Sequence, residues 1–176
     1  MSFYRIIVLL SALLWALLSS CEQRNSSGNS EQQNDINLEE TGKRKVEIEE
    51  IQIKKYIKRR DWDVLETGTG LRIHFLNDTA ADTRKPVKGN WVKVAHKMQL
   101  INGRVVYEAS ESDPAEFRVD MDEVESGIHE GIKYLSVGDS AVFIIPSALG
   151  HGVTGNQDRI PGDATLIVNI KLLSIR

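Results

Sequence analysis

The sequence predicts an α+β domain: a twisted antiparallel β-sheet wrapped on one short helix, preceded by an N-terminal helix. Three observations predict it. Strand-like apolar runs separated by turn residues recur from Leu71 to Ser174. One stretch among them, Val124, Ile128, Ile132 and Leu135, steps by three and four, the period of a helix. Ahead of them, residues 43–60 are dense in mixed charge and free of proline and glycine.

At the start of the chain, Arg5 is followed by IIVLLSALLWALL, thirteen uncharged residues, whose last leucine, Leu18, also opens LSSC. A positive start, an apolar centre and a small-residue exit read as a secretory signal over residues 1–20. Thirteen helical residues at about 1.5 Å each do not cross a ~30 Å hydrocarbon core, so a spanning helix is not expected. LSSC has the form of a bacterial lipobox, which makes Cys21 the expected lipidation site and the membrane a partner through a lipid anchor. Cys21 is the only cysteine, so no internal disulfide is expected. The localisation expected is that of a cell-envelope lipoprotein, in the outer membrane and facing the periplasm.

Residues 21–42 are polar and nearly devoid of large apolar side chains, a composition that does not offset ordering entropy, and they are expected to be a flexible tether. In residues 43–62 Val46, Ile48, Ile51, Ile53, Tyr56 and Ile57 predict a helix with one apolar side. That side either packs on its own domain or, over residues 43–60, meets a partner in an envelope machine. Residues 63–176 form the domain proper.

In LRIHFL, residues 71–76, Leu71, Ile73 and Phe75 alternate with Arg72 and His74, which predicts that His74 faces water. In WVKVAHKMQL, residues 91–100, Val92, Val94, His96, Met98 and Leu100 share one face. Asn102-Gly103 supplies a tight hairpin turn, because both residues tolerate positive φ, and RVVYE returns. The helix follows, with Ser126 or Asp122 as its cap, and Gly138-Asp139 breaks the chain before the next strand. SAVFII (140–145) and TLIVNIKLLS (165–174) are the last strands, the latter with Leu166, Val168, Ile170 and Leu172 on one face.

A net charge of −3 argues against a nucleic-acid partner. The four histidines show no ligand spacing and no cysteine or carboxylate cluster completes them, so no metal is expected.

The words TGTGLRI, VKVAHKMQLINGRVVYEAS, PAEFRV, VESGIHEGIKYLSVGD, IPSALGHG and RIPGDATLIVNIKLL occur in this order over the last ~110 residues. Together they resemble the FKBP-type peptidyl-prolyl isomerases. The helix, tryptophan and GTGL segment ahead of them are similar to lipoprotein members from Bacteroidetes-type bacteria, including those associated with gliding motility. The resemblance implies an isomerase without cofactor, acting on Xaa-Pro segments of exported proteins. It also implies a pocket walled by aromatic side chains around a tryptophan.

Carried over position by position, His96 stands at the tyrosine of the first hairpin strand, and Tyr107-Glu108 at the phenylalanine-aspartate pair of the second. Ala115 replaces a phenylalanine, while Phe117 keeps the family's structural aromatic. Val124 is retained, Glu125 replaces the isoleucine whose N–H binds ligands, and Ile128 stands at the tryptophan floor. Val168 replaces another phenylalanine, and Ile160-Pro161 is kept. His151 stands at the tyrosine that donates to the bound peptide's carbonyl, a role neutral imidazole can also fill. The resemblance therefore implies Tyr107, Glu108 and His151 as catalytic and His96, Phe117, Val124, Glu125, Ile128, Ile160 and Val168 as substrate-binding.

Bland alternatives stand beside these roles. His151 could be an exposed turn residue, His96 a hydrogen-bonded core histidine, Glu108 a solvated hairpin charge, and Glu125 part of a capping box with Asp122. The replaced aromatics also leave open a second function, an assembly module that keeps the fold with little turnover.

Overall fold

The structure, a computed structural model, describes residues 27–77 and 84–176. The leader and Cys21 lie outside the described residues. Two compact units divide the chain, Met1–Gly42 and Lys43–Arg176. No helix among the described residues is long and apolar enough to cross a membrane.

The order of elements is α1 (Ser27–Arg60), β1 (Leu65–Glu66), β2 (Arg72–Asn77), β3 (Trp91–Leu100), β4 (Val105–Ala109), β5 (Ala115–Arg118), α2 (Ser126–Ile132), β6 (Ser140–Ile145) and β7 (Leu166–Ile175). All strand pairs are antiparallel, in the order β1-β2-β6-β7-β3-β4, with β5 also on β3. Long β3 is shared along one edge: Trp91–Val94 pair with β5 and His96–Gln99 with β4. That division opens a gap beside the sheet where the candidate site lies.

One face of the sheet closes over α2. Leu71, Ile73, Phe143, Val168 and Leu172 pack with Ile128, Ile132 and Leu135 into a core almost without exposure. Gly127 and Gly131 allow this approach. A Cβ on Gly131 would lie 2.6 Å from the Phe143 ring, and one on Gly127 2.5 Å from Ile145.

The other face is covered by α1. Ile53 and Tyr56 are buried against Val142, Ile144 and Ile167, with Ile57 and Trp62 at the margin. This explains why β6 is an unbroken apolar run, since both of its faces are covered. Glu49 fixes the helix further, accepting from Ser147 N–H at 2.7 Å and from the Thr165 hydroxyl at 2.6 Å. Glu50 receives buried Arg72 at 2.7 Å.

Helix α1 ends in a Schellman turn, with Asp61 N–H on Lys58 O, Trp62 N–H on Ile57 O, and Asp61 at φ 53°. The helix thus stops two residues before the expected limit of 62 and begins within the segment expected as tether, at Ser27. With no proline in that segment, nothing breaks the helical hydrogen bonding.

The hairpin turn forms at Asn102-Gly103 as expected, with Gly103 at positive φ and the Asn102 side chain accepting the Arg104 N–H at 3.0 Å. Three local expectations are corrected. Arg72 is buried and His74 stacks on Trp62 at 4.8 Å, while Phe75 is 40% exposed, because α1 and Trp62 cover the face expected to be wet. Neither Ser126 nor Asp122 caps α2: the Ser126 hydroxyl donates to Leu149 O and the Asp122 carboxylate accepts from Arg118 N–H. The Glu125 carboxylate is turned to His151, so no capping box forms.

Candidate functional site

Between β3, β4, β5 and the start of α2 lies a mainly apolar cleft of about 190 Å³. Alternation along β3 points Val94, His96 and Met98 into it. Tyr107 enters from β4, Ala115, Glu116 and Phe117 from β5, and Ile170 from β7, with Ile128 of α2 and Val124 and Glu125 ahead of it completing the wall. The volume is below the ~300–1,000 Å³ of drug-sized sites and suits a single ring.

The carried-over residues divide into three groups. His96, Tyr107, Phe117, Val124, Glu125 and Ile128 come together on the cleft wall. His151 is absent from the lining but touches it, its Nε2 lying 2.9 Å from Glu125 Oε1. Glu108, Ile160 and Val168 do not line the cleft. Glu108 follows Tyr107 on a strand, so it turns to the exposed side, level with Lys97. Val168 is fully buried at the centre of β7, between Met98 and Phe143, and Ile170 two residues on takes the place at the cleft. Ile160 is 2% exposed within the core.

Sequence reasoning missed Val94, Met98, Glu116 and Ile170 as site residues. The shared face of β3 was a signal for Val94 and Met98, and that of β7 for Ile170. Glu116 gave none.

It also missed two supports. Asn156 holds the loop before β7: its side-chain oxygen accepts the N–H groups of Asp158, Arg159 and Ile160, and its amide donates to the Tyr107 hydroxyl at 2.6 Å. Gly155 in this loop has φ +65°, and a Cβ there would sit 2.2 Å from Ile160 O. Arg159 lies over the Tyr107 ring, 5.3 Å from its centroid, and donates to Val106 O.

The second support is buried His129, edge-on to Phe117 at 5.5 Å. Its Nδ1 accepts the Asp120 N–H, so the ring proton sits on Nε2 and is donated to Asp122 O at 3.1 Å.

Electrostatically the cleft holds an imidazole kept neutral. Burial pushes the His96 pKa below the ordinary histidine value, against the opposing pull of Glu125 and Glu108. No described residue hydrogen-bonds the His96 ring nitrogens, so the reading as a hydrogen-bonded core histidine does not hold. No group of three or more His, Cys, Asp or Glu side chains among the described residues is placed to hold a metal. The cleft therefore offers apolar contact, one neutral imidazole and two carboxylates, of which Glu116 is ion-paired with Arg176, a set suited to binding and orienting rather than to nucleophilic chemistry.

Comparison with known proteins agrees with this architecture. The model for FKBP-type peptidyl-prolyl cis-trans isomerase matches residues 82–173, 92 of the 176. The peptidyl-prolyl cis-trans isomerase FKBP15-1 of Arabidopsis thaliana is 36% identical over 89 residues, 50% of this chain and 58% of that protein. FK506-binding protein 2 of Dictyostelium discoideum is 32% identical over 94 residues, 53% of this chain and 71% of that one. A probable FKBP-type isomerase, FkpA, of Neisseria meningitidis is 30% identical over 112 residues, 64% of this chain but 40% of its own length. Among solved structures, FkpA from Escherichia coli aligns with a TM-score of 0.63 at 23% identity, over 96% of this chain and 80% of that one, a likeness of fold. A family model that covers more than half of the sequence, and a relative above 30% identity covered over most of its length, place the chain in the FKBP-type peptidyl-prolyl cis-trans isomerase family.

Proposed function

We propose that the chain is a peptidyl-prolyl cis-trans isomerase that uses this cleft. The observation that carries the reading is the convergence of His96, Tyr107, Phe117, Val124 and Ile128 on one apolar cleft of ring size in a chain of this family. A prolyl bond isomerises over about 18–20 kcal/mol in tens to hundreds of seconds. At the top of that barrier the amide is twisted, its resonance is lost, and it is less dipolar than either planar form. An apolar wall therefore favours the twisted amide over the planar one, and each ~1.4 kcal/mol of that preference gives a factor of ten. The proline ring sits over Ile128, Phe117 and Val124, Tyr107 borders it, and His96 offers the peptide a neutral N–H. His151 acts through Glu125.

A second reading has its own observation. Ile128 and Ala115 stand on the cleft wall where the family resemblance places aromatics, which favours a binding or assembly module with little turnover.

The test is acceleration of a chymotrypsin-coupled Xaa-Pro peptide by the purified protein, with Tyr107→Ala and Ile128→Ala beside it. Acceleration lost in both variants, with circular dichroism unchanged, supports the isomerase. Peptide binding without acceleration, also on a proline-limited refolding protein, leaves the module.

Lipidation at Cys21 and export belong to the same proposal, with exported proteins as clients and the cell envelope as the site of action. They are supported by the leader and the lipobox-like LSSC. Incorporation of labelled palmitate that survives Cys21→Ser would remove the anchor from the reading.

A further inference from the structure

We propose that Glu125 is a specificity-determining residue, a carboxylate in the wall of the prolyl cleft that selects peptides carrying Lys or Arg beside the proline. The inference rests on the reading of the cleft as the prolyl site and names its substrate class.

Glu125 and Glu116 are the two carboxylates that line the cleft. Glu116 is neutralised from outside, by Arg176, with which it forms a short ion pair, and by Lys93 at 3.8 Å. Glu108, beyond the lining, lies opposite Lys97 in the β3–β4 ladder. Glu125 differs from both. Its side chain is only 12% exposed, and its one ion-pair partner among the described residues is His151. A histidine, unlike lysine or arginine, carries no obligatory charge at neutral pH. His151 meets Glu125 through Nε2 alone, at 2.9 Å, and leaves it without a permanent cation in a wall shared with Val124, Ile128 and Phe117, all apolar.

A largely buried carboxylate without a permanent counter-charge is costly, and a cation supplied by the bound peptide completes it. A glutamate beside the proline meets like charge at the same wall. The cation-bearing side chain needs no deep pocket. Glu125 and His151 sit where the loop after β6 meets the approach to α2, so a lysine flanking a bound proline reaches the pair along the surface.

The experiment measures kcat/KM of the full chain on two peptide series, varying the residue before and the residue after proline through Lys, Leu and Glu. An ion pair of this kind gives up to about fivefold, and repulsion a similar factor. The expected result is Lys above Glu by about tenfold in one series, shrinking to near unity in Glu125→Gln. His151→Lys, which leaves Glu125 in place and supplies a permanent cation, shrinks it as well. Equal rates for Lys, Leu and Glu in both series, with clear acceleration of all, overturn the inference alone. A preference that persists in both folded variants also overturns it. No acceleration of any peptide overturns the isomerase reading and the inference with it.

Discussion

The side-chain amide of Asn156 donates to the Tyr107 hydroxyl at 2.6 Å, while its oxygen gathers three backbone N–H groups of its own loop. One residue thereby fixes the loop before β7 and the outer wall of the cleft together. Losing those bonds at a half-buried site costs about 1–2 kcal/mol. Asn156→Ala is therefore expected to lower thermal stability modestly and kcat/KM about tenfold. Tyr107→Phe removes only the hydroxyl and leaves the loop bonds, so it should cost less of both. Equal losses in the two variants would mean that loop order does not serve the cleft.

The neutral imidazole of His96 gives a signed prediction in pH. Burial lowers its pKa, more than Glu125 and Glu108 restore it. Between that lowered value and the ordinary 6.5, the unfolded chain holds more protons than the native one, so stability rises with pH across this window. It falls as pH drops through 6.5 and levels off once the native group is also protonated. Protonation also puts a cation among Val94, Met98 and Phe117, so proline turnover should share the acid limb. Urea midpoints at pH 5 and pH 7.5 check this: the gap narrows in His96→Leu.

How far the sequence foretold these features follows from what masks periodicity. In β3 and β7 one face meets α2 and the other is partly wet, so Val94, His96 and Met98 could be read as one side. β6 is covered on both faces, and so is the start of β2, and alternation fails there: Arg72 is buried, while Phe75 lies in the exposed far half of β2. β1 and β5, of two and four residues, are too short to show a period. Pairs such as His151–Glu125 and Asn156–Tyr107 join residues 26 and 49 positions apart through side-chain direction alone.

The glycines of α2 set two effects against each other. Alanine favours a helix over glycine by about 1 kcal/mol. At Gly131, however, the added methyl group would lie 2.6 Å from the ring of Phe143, which is fully buried. Overpacking of that kind costs about 1–3 kcal/mol, so Gly131→Ala should lower the urea midpoint. Gly42, in α1 with nothing within 4 Å of a Cβ, supplies the contrast. Gly42→Ala should raise helicity at 222 nm without loss of stability.

Helix α1 and the cleft lie on opposite faces of the sheet, and this separates stability from turnover. Ile53 is 1% exposed against Val142, Ile144 and Ile167, and α1 contributes no residue to the cleft wall. Truncating a buried isoleucine costs about 2–5 kcal/mol. Ile53→Ala should therefore lower the melting temperature sharply while kcat/KM of the folded fraction stays within twofold. Glu50→Gln adds a pH signature. Burial opposes ionisation of Glu50, but hydrogen bonds from Lys54 and Arg72 outweigh it and hold its pKa below 4.5. The stability it contributes is present above that value and lost as pH falls through the lowered one. The wild-type chain should lose this increment in acid, and Glu50→Gln should lack it at every pH. If Ile53→Ala instead reduced turnover in proportion to stability, the two faces of the sheet would be coupled, and α1 would belong to the working site.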